Sequence, residues 1–304
     1  MNTMTSMQAA PAEMVQTFLD EPRTPSVRLP RGACDSHVHV FGPYARFAAA
    51  EGQRVIPAEA PKEKLFGLHR RVGIERCVIV QSMVHGHDNR VVEDAIAAGG
   101  GRYLGVALVP TDVPSAELAR LAAAGFRAVR FNFMKHLTGG HTVEDVLALT
   151  PRLAEVDMHL QVHFESNMVH TVGQQLQRSA VPVVIDHMGR VDATLGPMNP
   201  DFQALMGLLE KPGMHVKVSG IDRVESGARA GSGYPMGVAL ARELVSRFPD
   251  RCVWGLDWPH PNHTHIPDDG ELVDALARIA PTEGLMCQLL VDNPLKLYRF
   301  EART

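Results

Sequence analysis

His37 and His39 stand one residue apart in the run Cys34-Asp35-Ser36-His37-Val38-His39. Side chains alternate between the faces of an extended strand, so both imidazoles leave the same face. Three more residues of this chemical kind close other apolar runs: His163 within 159–164, His187 at the end of 182–187 and Asp257 near the end of 252–258. Imidazoles titrate near neutral pH, move protons and bind metals, while a free aspartate, with pKa about 3.9, is ionised there. An isolated pair of this spacing is as readily two hydrogen-bonded core histidines as a working pair. Four imidazoles and a carboxylate at strand ends are harder to explain as packing, because buried polar groups cost free energy unless they are satisfied.

These residues need a scaffold that gathers strand ends. Eight β-rich runs recur, at 34–40, 76–81, 103–109, 127–133, 159–164, 182–187, 215–219 and 252–258. Between them lie helically patterned segments at 61–71, 89–98, 115–124, 143–155 and 236–247, with helix-start signals at Pro114-Ser115 and Pro200-Asp201. Gly99-Gly100-Gly101 and Gly125 stand where helices should stop. Strands alternating with helices imply an α/β fold with a parallel sheet. Eight units predict a (β/α)8 TIM-like barrel, in which functional groups collect at the carboxyl ends of the strands. An open doubly wound sheet would carry a glycine-rich phosphate loop after its first strand, and 34–42 has none. Walker A and nucleophile-elbow sequences are also missing.

Composition narrows the partners. The 304 residues are 45% hydrophobic and 21% charged, with a net charge of −4, so no basic excess is available to neutralise a nucleic-acid backbone. No apolar run approaches a bilayer span. Cys34, Cys77, Cys252 and Cys287 are scattered without a CxxC, which fits a reducing cytosol. Residues 1–30 carry four prolines and no continuous apolar stretch of a secretory signal. They are expected to form a tail or surface arm that could reach a neighbouring subunit in a homo-oligomer, with 31–304 as a single barrel domain. Phosphate, flavin and nicotinamide signatures are absent.

The ordered set His37, His39, His163, His187 and Asp257 resembles the amidohydrolase superfamily. The stretches His85-Gly86-His87-Asp88-Asn89-Arg90, Val129-Arg130-Phe131-Asn132-Phe133, Ile185-Asp186-His187-Met188-Gly189-Arg190 and Trp254-Gly255-Leu256-Asp257-Trp258-Pro259-His260-Pro261-Asn262 resemble its 2-pyrone-4,6-dicarboxylate lactonase-like branch. The likeness runs from residue 34 to about 300. It implies hydrolysis of a carboxylated lactone in aromatic catabolism. Water attack on an ester needs a base and partners for the developing oxyanion. Asp257 is the candidate base, and His37, His39 and His187 would polarise the carbonyl directly or through a metal. Arg130 and Arg223 match substrate-carboxylate arginines, since a guanidinium grips both oxygens of a carboxylate. His260, three residues beyond Asp257, is expected to reach the same mouth, and Ser82 to touch substrate. His263 and His265 are expected to be solvated loop residues.

The chain departs from the branch at several points. The family's second arginine, six residues after Arg130, is His136 here, a tyrosine at the fifth strand end is His163, and another tyrosine falls near Val55. Each change weakens a dicarboxylate clamp, so the exact lactone stays open. His163 would complete a set with His37, His39 and Asp257 suited to one zinc or manganese ion, and no lysine stands clearly where a second metal would need a bridge. The cofactor is therefore none, or one divalent cation. A mononuclear-metal decarboxylase of an aromatic acid and a non-catalytic binding barrel are the alternatives. An intact Asp257 beside an intact histidine pair weighs against the second.

Overall fold

The computed structural model describes residues 12–53, 55–134 and 140–301. Its main sheet has eight strands: β1 (Cys34–Val38), β2 (Arg76–Val80), β3 (Tyr103–Ala107), β4 (Phe126–Phe133), β5 (His159–Phe164), β6 (Val183–Ile185), β7 (Met214–Ser219) and β8 (Cys252–Gly255). All neighbours are parallel and follow chain order. The edges meet where the Asp257 N–H donates to the His37 carbonyl (2.8 Å) and the His39 N–H to the Trp258 carbonyl (2.7 Å). The expected barrel is thereby formed. Its seam depends on Gly255, where a Cβ would lie 2.6 Å from the His37 amide nitrogen.

Helices Lys62–Val72, Arg90–Ala98, Ser115–Ala123, Val143–Glu155, Pro200–Leu209 and Pro235–Arg247 surround the sheet. Local signals account for them. Thr142 and Asp145 form a reciprocal capping box that starts one helix, and its Val146, Leu149 and Leu153 recur at helical spacing on the buried face.

Two apolar layers result. Cys34, Val78, Val80, Leu104, Val106, Ala128 and Val253 fill the barrel interior, with Tyr298 and Phe300 packed against them. A larger layer lies between strands and helices. In β1, strict alternation from the inward Cys34 would turn Val38 inward and His37 outward. A register irregularity between Asp35 and Val38 reverses this, so His37 points inward and Val38 joins the outer layer.

The strands are shorter than their apolar runs. β1 stops at Val38, β6 at Ile185 and β8 at Gly255, so His39, His187 and Asp257 sit just past the ladder. His187 (φ 49°) and Asp257 (φ 66°) both adopt the left-handed conformation. That conformation is costly for residues with a Cβ and clusters at functional sites.

Part of the N-terminal arm is described. Glu13–Val15 pairs in parallel with Val55–Pro57, and the buried Phe18 packs edge-on to Trp258 at 5.2 Å. Among the described residues, no helix is long and apolar enough to cross a membrane.

Candidate active site

At the carboxyl end of the barrel, a cavity of about 470 Å³ is lined by His39, Ser82, Arg130, His163, His187, Arg223 and Asp257, among others. Asp257 is its centre. Its Oδ1 faces His39 Nε2 at 3.4 Å, His37 Nε2 at 3.6 Å and His187 Nε2 at 3.8 Å. Its Oδ2 accepts a 2.6 Å bond from Arg223 Nη2. The three imidazole distances exceed good hydrogen bonds, and Asp257 Oδ1 and His37 Nε2 are buried without a hydrogen-bond partner.

The tautomers follow from what lies behind each ring. His39 Nδ1 faces the Val80 carbonyl at 2.7 Å. A carbonyl only accepts, so Nδ1 holds a proton, and in the neutral ring Nε2 presents a lone pair. His37 Nδ1 lies 3.1 Å from Lys217 Nζ. An ammonium only donates, which leaves the neutral ring's proton on Nε2, facing Asp257. His187 Nδ1 meets Ser219 Oγ at 2.9 Å.

Beneath the mouth lies a charged layer that the sequence reading missed. Asp186 Oδ2 accepts from Arg130 Nε at 2.7 Å, and its Oδ1 from Gln161 at 2.9 Å. Lys217 Nζ is 3.5 Å and His37 Nδ1 3.4 Å from the same Oδ1. Lys217 is fully buried. Its signal was available: a lone lysine in His215-Val216-Lys217-Val218-Ser219, a run whose parity puts it inside a barrel. Buried ion networks stabilise folds poorly against apolar replacements. This one instead fixes the aim of Arg130 and His37.

Burial, aided by Lys217, pushes the His37 imidazolium down to about 3. Burial likewise holds His163 and His187 well below the usual histidine range. These rings are neutral at physiological pH. Burial alone would raise the Asp257 carboxyl, but the surrounding His187, Arg223, His39 and His37 outweigh it and hold the group well below the usual range. Burial draws Lys217 down to about 8 against the pull of Asp186.

The cavity brings together Asp257, His39, His187, His163, Ser82, Arg130 and Arg223, with His37 directly behind. His136 lies outside the described residues. Three expectations are corrected. His260 does not reach the mouth: it is wholly buried, and Asp269 Oδ1, 3.0 Å from its Nε2, holds it on the far side of the loop. His163 does not complete a metal set with His37, His39 and Asp257, whose ligand atoms lie within 4.8 Å of one another. The strand register sets His163 opposite Asn132, its Nδ1 facing Asn132 Oδ1 at 3.3 Å, and its Nε2, though buried without a partner, is not among the atoms that lie within 4.8 Å of one another. His263 and His265 are not solvated either, with side chains only 3% and 15% exposed beside Asp222.

The amidohydrolase family model matches residues 34–300. The chain belongs to the amidohydrolase family. Within it, the chain is 40% identical over 284 residues to a 2-pyrone-4,6-dicarboxylate hydrolase of Comamonas testosteroni, covering 91% of this chain and 93% of that one. It is 37% identical over 277 residues to a 4-sulfomuconolactone hydrolase of Hydrogenophaga intermedia, covering 89% of each. Among solved structures, a putative 2-pyrone-4,6-dicarboxylic acid hydrolase from Pseudomonas putida superposes with a TM-score of 0.78 at 30% identity, over 90% of this chain and all of that one.

Proposed function

We propose that this amidohydrolase opens a carboxylated lactone of aromatic catabolism, 2-pyrone-4,6-dicarboxylate or a related acidic lactone, by water attack on the ring ester. The observation that carries this reading is the buried, ionised Asp257, its Oδ1 unpaired and facing imidazole nitrogens beside a cavity that two arginines line. Both named hydrolase relatives act on acidic lactones, as their names state.

In this reading a water held at Asp257 Oδ1 attacks the ester carbonyl as the carboxylate takes its proton. The Nε2–H of His37 and the His187 ring face the developing oxyanion, so the negative charge forms against oriented dipoles rather than bulk water. Collapse breaks the bond to the ring oxygen, and Asp257 returns its proton to that leaving oxygen. Arg130 and Arg223 take the acidic substituents. A substrate anion that draws Arg223 away from Asp257 Oδ2 also removes the cation that depresses the base, so binding raises Asp257 basicity when it is needed.

The same residues fit a divalent cation. His39 Nε2 and Asp257 Oδ1 offer lone pairs, and His37 Nε2 would add a third once its proton moved to Nδ1, which faces Asp186 Oδ1 at 3.4 Å. A zinc or manganese ion there would supply Lewis acidity and a more acidic water.

The test is turnover of 2-pyrone-4,6-dicarboxylate and 4-sulfomuconolactone, followed by ultraviolet absorbance, on chelator-stripped protein and again after adding zinc or manganese. Hydrolysis in either state supports the reading, and the stripped sample reports whether the side chains suffice. No hydrolysis of either lactone in both states overturns it.

A further inference from the structure

Behind Arg223, away from the cavity, lies a second buried cluster that the proposed chemistry does not use. Arg223 Nη2 has two hydrogens and three acceptors: Asp257 Oδ2 at 2.6 Å, His263 Nδ1 at 2.9 Å and the Pro261 carbonyl at 3.0 Å. A guanidinium has no lone pair to offer, so His263 Nδ1 must accept. The neutral His263 ring then carries its proton on Nε2, which sits 2.9 Å from Asp222 Oδ2. Asp222 is 2% exposed and forms no well-aligned hydrogen bond among the described residues, so His263 is its nearest partner, with His265 Nε2 farther at 3.6 Å.

We infer that Asp222 and His263 are a positioning pair for Arg223: the carboxylate fixes the His263 tautomer, and the exposed Nδ1 lone pair sets where the guanidinium stands between Asp257 and the substrate's acidic group. This rests on the role given to Arg223 above. The chain Asp222–His263–Arg223–Asp257 runs from the loop after β7 to the loop after β8 and back, so it ties together the two segments that must hold their relative position. Burial and the neighbouring Arg223 depress the His263 imidazolium, in keeping with a neutral ring. Metal binding by Asp222, His263 and His265 fits less well, because the Arg223 contact leaves a proton, not a lone pair, on His263 Nε2.

Two substitutions separate positioning from packing. In His263→Asn the amide oxygen falls near the site of Nδ1 and still accepts from Arg223. In His263→Gln the amide reaches the site of Nε2 and leaves Arg223 without its acceptor. The readout is calorimetric binding of benzene-1,3-dicarboxylate, which carries two carboxylates in the meta relation of a 4,6-substituted pyrone and has no ester to open. Displacing a positioned group commonly costs up to about a hundred-fold. His263→Asn should bind within about threefold of the unaltered protein, and His263→Gln at least about tenfold more weakly. Equal affinities for the two variants, or the reverse order, would overturn the inference. Nitrogen-15 spectra of histidine-labelled full-length protein give a second test that needs no variant to fold well, with the Asn variant serving only to assign the signal. His263 protonated on Nε2 alone supports the pair, and a proton on Nδ1 overturns it. Absence of lactone turnover with this binding pattern intact would sink the hydrolase reading and leave the positioning pair standing.

Discussion

Two histidine–aspartate clusters lie on either side of the segment that follows β8, and they differ in what their polar atoms face. At the mouth, Asp257 Oδ1 and the His39 and His187 Nε2 atoms meet at 3.4–3.8 Å beside open cavity. Behind Arg223, two histidines stand closer to a carboxylate, His260 to Asp269 at 3.0 Å and His263 to Asp222 at 2.9 Å, with His265 farther from Asp222 at 3.6 Å. The residue types are the same. Both clusters keep buried polar atoms without aligned hydrogen bonds, but in the first three imidazoles share one carboxylate oxygen loosely, whereas in the second His260 and His263 each stand within 3.0 Å of a carboxylate of their own. Histidine and aspartate content therefore does not locate an active site by itself; the loosely shared carboxylate at the carboxyl ends of the barrel strands does.

The sharpest way to break this comparison is to neutralise one carboxylate in each cluster. Asp257→Asn should lower kcat by about a thousand-fold while ligand affinity and melting temperature change little. Asp269→Asn should do the reverse, destabilising the fold by about 3 kcal/mol because the buried His260 loses its charge partner, with kcat/KM held within a few-fold. Steady-state kinetics and urea unfolding on both variants check this, and similar profiles for the two would erase the distinction.

A smaller effect appears in the pH dependence of stability, where His37 of the first cluster and His260 of the second act in opposite senses. His37 is neutral in the fold, with a folded pKa of about 3 against an unfolded value of about 6.5. The unfolded chain binds the extra proton, so the stability from His37 is present above pH 6.5 and is lost as pH falls toward 3, by about 2 kcal/mol at pH 5. Burial pushes His260 down, but Asp269 outweighs it and its pKa is raised. Its contribution is present below pH 6.5 and is lost as pH rises through the folded value. Urea unfolding from pH 8 to pH 5 should show a net fall on acidification, steeper in Asp269→Asn because the opposing contribution is gone. An unchanged slope in that variant would mean that His260 is not charged against Asp269.

The legibility of the site follows this division. His37, His39, His187 and Asp257 could be found because each ends an apolar run, and a barrel brings such ends to one rim. Lys217 and Asp186 escaped notice, although a lysine within a strand of inward parity was a usable sign. His260 was misplaced because sequence distance from Asp257 does not say which way a loop turns. The left-handed backbone at Asp257, His260 and Asn262 sends successive side chains to different sides. His263 and His265 read as solvated because a Pro- and His-rich loop looks polar, whereas Asp222, from the loop after β7, buries them.

The amino-acid sequence by itself determined the eight strand–helix units, the parallel order of the barrel and the residues placed at the strand ends. Those depend on local periodicity, capping and turn chemistry, all of which act within a few residues. Only the tertiary structure decided which imidazole nitrogen carries a proton, that His163 turns to Asn132, and that Arg223 stands between Asp257 and His263. Each of these depends on a partner brought in from another strand or loop, and a hydrogen bond is decided by distances and directions of a few tenths of an ångström that no local pattern encodes.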